Sequence, residues 1–172
     1  YLCSHNRMAD EINQKKLKEL KTKSHCYKAK IFGDFRENQF PNDESLELKV
    51  GAQIMFIRND ASGERKYFNG KLAEISYLDE EEIMVILDGT DEEITLKKET
   101  WEQKRYSLGA DKSINEEVLG SFEQYPIRLA WAVTIHKSQG LTFDRLIIDA
   151  GKSFASGQVY VALSRCRTLE GI

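Results

Sequence analysis

The sequence predicts an α/β domain interrupted by a small antiparallel β-barrel. Three observations predict it: strand-and-helix texture at both ends, four short β-like runs crowded between residues 49 and 110, and acidic charge gathered in that middle stretch. Residues 49–110 hold 9 Lys and Arg against 13 Asp and Glu, whereas the flanks are balanced, 9 against 8 over 1–48 and 7 against 7 over 111–172. With 172 residues, 41% hydrophobic and 31% charged, the chain has a globular composition and enough length for one ordinary domain or two small ones.

Residues 1–4 read as a short strand. Asn6 is the expected N-cap of a helix carrying Asp10 and Glu11 in its early turns, with Met8, Ile12, Leu17 and Leu20 at roughly helical spacing. Residues 27–32 alternate apolar and basic side chains, predicting a strand stopped by Gly33. Pro41-Asn42-Asp43 marks a turn. The β-like runs 53–58, 71–78, 82–87 and 93–101 follow, separated by turn signals such as Asn69-Gly70 and Asp88-Gly89. That density of short strands predicts a barrel over 49–110. After Pro126 the α/β texture returns: residues 129–138 carry helical spacing, with β-branched residues that leave a strand open. Residues 143–150 predict a buried strand and 157–166 a helix. The division is therefore 1–48 plus 111–172 for the α/β part and 49–110 for the insertion.

Several function classes are disfavoured. No apolar run approaches the roughly 20 residues of a membrane span. The start shows no signal peptide and no Met, which suggests a piece of something longer. Cys3, Cys26 and Cys166 form no C-x-x-C pair and the three histidines show no metal spacing, so no metal site and reduced thiols in a cytoplasmic or otherwise intracellular protein are expected. A net charge of −3 speaks against a basic DNA-coating protein. Ser138 near His136 lacks the G-x-S-x-G elbow of a nucleophilic hydrolase.

Two stretches are rich in candidate chemistry. Residues 134–144, TIHKSQGLTFD, combine short polar side chains, His136, Lys137 and Gly140 ahead of an apolar strand. Such a loop can bring backbone N–H groups to a phosphate, and it can equally be a polar helix end capped by glycine. Residues 157–167, GQVYVALSRCR, read as a helix packed on the sheet with Arg165 and Arg167 near its end, where the helix dipole favours cations.

Together these stretches resemble motifs V and VI of superfamily 1 DNA helicases of the RecD/PIF type. LCSHNRMADEIN (2–13) resembles motif IV, and LKVGAQIMFIRND (48–60) with FNGKLAEI (68–75) resembles the start of an inserted SH3-like barrel. The resemblance covers nearly the whole chain. It implies a partial RecA-like P-loop NTPase domain, called 2A, interrupted by an SH3-like barrel, 2B. Thr142 stands where close relatives of UvrD usually carry Glu, which favours the RecD/PIF branch and 5′ to 3′ movement on single-stranded DNA.

The resemblance also implies roles. Arg165 matches the motif VI arginine that reaches the γ-phosphate, a task suited to a permanently charged, forked donor. Gln139 and Gly140 match the nucleotide edge of motif V, while Thr134 and His136, with Lys137 as a further contact, match residues facing the DNA backbone. Asn6 and Arg7 are weaker DNA-binding candidates, and Arg167 is expected to be a surface or C-cap residue. The sequence contains no G-x-x-x-x-G-K-[ST] loop, so ATP and Mg²⁺ are expected to be held mainly by a preceding domain, 1A, and the isolated chain is expected to be inactive with neither of them bound. The expected partners are single-stranded DNA and domain 1A, in a monomer. The same motifs occur in the helicase part of conjugative relaxases, and a non-catalytic DNA- or protein-binding module is the other reading.

Overall fold

A computed structural model describes residues 1–108, 114–149, 151 and 157–172. Strand β1 (Leu2–Cys3) is fully buried and lies between β12 (Val133–Thr134) and β13 (Ile148–Asp149), all parallel. Helix α1 (Asn6–Glu19) follows β1 and buries Ala9, Asn13 and Leu17, one stripe at a spacing of four. Its N-cap is His5, and Asn6 is already the first helical residue, correcting the expected cap. Helix α2 (Gln158–Leu163) is shorter than the predicted 157–166 and buries Ala162.

Three further β assemblies occupy the middle. Strand β2 (His25–Lys28) pairs antiparallel with β4 (Ser45–Leu48). Strand β3 (Lys30–Gly33) joins β10 (Ile114–Gln124) and β9 (Glu99–Leu108) in the order β3-β10-β9. The strand predicted over 27–32 is thus two strands serving different sheets, with Ala29 between them. A five-stranded antiparallel sheet runs β11 (Ile127–Leu129), β5 (Gln53–Phe56), β6 (Leu72–Leu78), β7 (Ile83–Leu87), β8 (Glu93–Thr95).

The four predicted β runs all contribute strands, but among the described residues they form no closed barrel. The five-stranded sheet is open, its end strands β11 and β8 unpaired with each other. The physical reason is that β9 turns away to ladder with β10 from Glu99↔Gln124 to Ile114↔Leu108, so it is not available to close the sheet. The expected boundary at 110 lies outside the described residues, and β11, from beyond it, pairs with β5.

Residues 129–138, where a helix was expected with a strand left open, hold the end of β11, the short strand β12 and a run of turns. Backbone pairing decides this: Val133 N–H donates to Tyr1 O and Ile135 N–H to Cys3 O, both at 2.9 Å, and the β-branched side chains suit the extended form. The strand predicted over 143–150 is confined to Ile148–Asp149, with Ala150 outside the described residues.

One core gathers Leu17, Tyr27, Leu48, Ile54, Phe56 and Ile75 with their neighbours. A second gathers Leu2, Val133, Ile135, Leu146 and Ala162, and takes in Met55 and Leu72 from β5 and β6. The middle β unit and the parallel sheet are therefore fastened by shared apolar burial as well as by two chain crossings. No helix among the described residues is long and apolar enough to cross a membrane.

Candidate functional site

Strands β1 and β12 are adjacent and parallel, so their carboxyl ends open at the same edge of the sheet. Ligands of open α/β sheets gather at such edges. Here the edge borders a cavity of ≈ 630 Å³ lined from three separate stretches: Ser4, His5 and Asn6 after β1, Thr134 at the end of β12 with Ile135, His136, Lys137 and Gln139 after it, and Gly157 with Gln158, Tyr160 and Val161 at the start of α2. The first turns of α1 and α2 both border it, and helix N-termini favour anions.

The loop after β12 is tightly tied. Ser138 N–H donates to Thr134 O at 3.0 Å, Lys137 N–H to Thr134 Oγ1 at 3.3 Å, and the buried Ser138 hydroxyl to Ile135 O at 2.7 Å. Ser138 is thus committed to the fold, in keeping with the absence of a nucleophile elbow. Gly140 closes the loop at φ +82, a left-handed conformation that β-carbon-bearing residues adopt only with strain. No atom lies where its Cβ would sit, so backbone conformation, not space, calls for glycine there.

Of the expected site residues, the fold brings Asn6, Thr134, His136, Lys137 and Gln139 to one cavity. Gln139, expected at the nucleotide edge, shares it with His136. Arg7 points elsewhere, its Nε donating to Glu11 Oε1 at 2.8 Å in an exposed pair. Arg165 does not line the cavity. Its guanidinium folds onto local acceptors: Nε to Val161 O at 3.2 Å, Nη1 to Leu141 O at 3.3 Å and Nη2 to Ser164 Oγ at 3.0 Å. Among the described residues no carboxylate forms an ion pair with Arg165, whereas Arg167 pairs with Asp144 at 3.1 Å in solvent.

A second cleft, of ≈ 620 Å³, adjoins the first through Asn6, Thr134 and Lys137, and extends between α1 and the β2–β4 pair. Arg128 lines it, donating Nη2 to Pro41 O at 3.1 Å while its Nε is buried without a hydrogen-bond partner. Burial, and then repulsion from Arg128, pull the Lys137 ammonium below the usual lysine range, with Asp10 and Asp43 opposing. The Lys137 side chain is exposed as a whole, so this desolvation concerns its contact with the cleft wall.

Ser4, His5, Asn13 and Arg128 were missed as site residues. Ser4 Oγ lies 2.8 Å from His5 Nδ1 at the end of β1. Asn13 is a buried polar residue within the apolar stripe of α1; its Nδ2 donates to Ala132 O at 2.8 Å and its Oδ1 accepts from Ala132 N–H at 2.8 Å. A polar residue four positions from Ala9 and four from Leu17 was the available signal. The three cysteines are free, and no group of His, Cys, Asp and Glu able to hold a metal is found among the described residues.

No protein-family model matches the chain. An ATP-dependent DNA helicase Pif1 from Campylobacter jejuni is 35% identical over 181 residues, covering 95% of this chain and 39% of the relative. The human ATP-dependent DNA helicase PIF1 is 35% identical, with 99% of this chain and 26% of the relative covered. Unliganded Pif1 from Bacteroides sp. superposes with a TM-score of 0.88 at 43% identity, over 99% of this chain and 39% of that one.

The chain belongs to the Pif1-type helicases.

It matches the C-terminal part of the superfamily 1 pattern and spans well under half the length of these Pif1 relatives. Bacteroides Pif1 is also known in complex with ADP-AlF4, at a TM-score of 0.86 to this chain, and bound to single-stranded DNA, at 0.82; both are 43% identical and 99% of this chain is covered.

Proposed function

We propose that this chain is the C-terminal motor part of an ATP-dependent DNA helicase that moves 5′ to 3′ on single-stranded DNA inside the cell. The observation that carries the reading is the convergence of residues from the segments 4–6, 134–139 and 157–161 on one cavity at the carboxyl ends of two parallel strands. In this reading residues 1–48 and 111–172 form domain 2A and residues 49–110 the inserted body 2B. Thr134, His136, Lys137 and Asn6 contribute to the DNA track, and Gln139 and Gly140 to the nucleotide edge. The β/γ-phosphate cradle and the Mg²⁺ ligands belong to domain 1A, since the chain has no G-x-x-x-x-G-K-[ST] loop.

Arg165 serves as the arginine finger. Among the described residues no carboxylate pairs with it, and its present acceptors are neutral oxygens that a phosphate can outcompete. As the γ-phosphoryl group leaves, negative charge spreads over its oxygens, and a positioned guanidinium stabilises that state more than bound ATP. The test is DNA-stimulated ATP turnover of the full-length protein. Arg165→Ala should lower it at least about a hundredfold, because arginine fingers supply about 10³ to 10⁵ where dissected. Nucleotide affinity should be largely kept, and lysine should restore little because it lacks the planar fork. Near wild-type turnover of Arg165→Ala refutes the assignment.

A further inference from the structure

We propose that the inserted β unit positions Arg165 through a relay from Gly70 to Leu141 to the guanidinium. The proposal rests on the reading of Arg165 as the residue that reaches the nucleotide. It makes Leu141 and Gly70 positioning residues for the same reaction, although Gly70 belongs to the turn between β5 and β6.

Leu141 faces both ways. Its carbonyl oxygen accepts from Arg165 Nη1 at 3.3 Å. Just beyond it, Phe143 N–H donates to Arg165 O at 2.8 Å and Arg167 N–H to Phe143 O at 3.0 Å, so residues 141–143 and 165–167 are tied by backbone as well. The Leu141 side chain meets the turn at Gly70. A Cβ on Gly70 would overlap Leu141 Cδ2 and would stand 3.2 Å from Cγ and 3.3 Å from Cδ1. All three atoms belong to the Leu141 side chain, so a Cβ at Gly70 would have to displace that side chain.

The turn cannot easily withdraw. Gly70 N–H donates to Phe56 O at 2.8 Å, Phe56 N–H to Lys71 O at 2.9 Å and Lys71 N–H to Phe68 O at 3.0 Å. Met55 and Leu72, which flank the turn on β5 and β6, share the apolar cluster that Leu141 packs against. On the other side, Gly140 supplies a left-handed joint immediately before Leu141. A shift of the turn therefore moves Leu141, and Leu141 moves one of the three acceptors holding the finger. Close-packed contacts transmit such shifts because they leave no slack. The position of the inserted unit thereby sets how readily Arg165 leaves its local acceptors for a phosphate.

A double-mutant cycle in the full-length protein tests the relay, reading DNA-stimulated ATP turnover, KM for ATP and melting temperature together. Gly70→Ala places a methyl group against Leu141 and should lower kcat about tenfold, the equivalent of one misplaced hydrogen bond, with KM little changed. Leu141→Ala removes the opposing methyls, so the double variant should turn over within about twofold of Leu141→Ala alone. Backbone strain from alanine at φ +94 remains in the double variant and appears in melting temperature. Losses that multiply independently, or a folded Gly70→Ala protein with wild-type kcat, overturn the relay.

A second measurement holds even where Gly70→Ala folds poorly. Hydrogen exchange of the amides of residues 68–71 in the wild-type protein should change when ADP-aluminium fluoride binds, and the change should vanish in Arg165→Ala. Unchanged exchange in the wild type overturns the relay. Turnover of Arg165→Ala separates the two failures: near wild-type activity sinks the arginine-finger reading itself, while its loss alongside an unaffected Gly70→Ala sinks the relay alone.

Discussion

Replacing Asn13 by alanine tests how the site loop is anchored. Asn13 is 7% exposed and Ala132 is 2% exposed, so neither the amide nor the backbone groups it serves can turn to solvent. Two short bonds are lost, Nδ2 to Ala132 O and Ala132 N–H to Oδ1, each 2.8 Å, while the third, to Leu129 O at 3.4 Å, contributes little. Stranding a buried donor or acceptor costs about 1–3 kcal/mol each, so Asn13→Ala should destabilise by about 2–4 kcal/mol. Asn13→Leu keeps much of the volume but strands the same two groups, so it should cost as much, which excludes a cavity as the cause. Ala132 immediately precedes β12, so the loop bearing His136 and Lys137 should loosen in both variants and DNA-stimulated turnover should fall with stability. Urea unfolding with an unchanged m-value gives the stability change directly. A loss below about 1 kcal/mol for both variants refutes the anchoring argument.

Three other outcomes follow from the same geometry. Arg167→Ala should leave turnover far closer to wild type than Arg165→Ala, since Arg167 is already paired with Asp144 in solvent, and the reverse order in the ATPase assay refutes the motif VI assignment. The isolated chain should not hydrolyse ATP above background, because it lacks a phosphate-binding loop; sustained turnover in a highly purified sample contradicts this. Burial pushes the Tyr67 hydroxyl up to about 12, with Glu99 and Asp60 adding to the effect. A raised folded-state value means that its stabilising contribution is whole below the ordinary tyrosine value of 10.0 and is lost as pH rises through about 12. Tyr67→Phe should flatten that part of the alkaline unfolding profile, and an unchanged profile refutes the contribution.

Local sequence carried much of this protein. The helical spacing of Met8, Ile12, Leu17 and Leu20 and the strand–turn punctuation around Asn69-Gly70 and Asp88-Gly89 sufficed for α1 and for strands β5 to β7, because side-chain periodicity and turn chemistry act over a few residues. The motif residues Thr134, His136, Lys137 and Gln139 were also legible as a group, since they are adjacent in the chain. Tertiary structure decided what depends on distant partners. Residues 133–134 became a strand because β1 offers them a parallel edge, overriding a spacing that also suited a helix. The middle sheet stayed open because β9 found its partner in β10, beyond the segment whose composition suggested a barrel. Asn13 could be recognised as an anchor only once Ala132, more than a hundred residues away, lay against it. The contact of Gly70 with Leu141 is of the same kind: two residues ordinary in their own neighbourhoods meet only in the fold, where the Leu141 side chain fills the space that a Cβ at Gly70 would take.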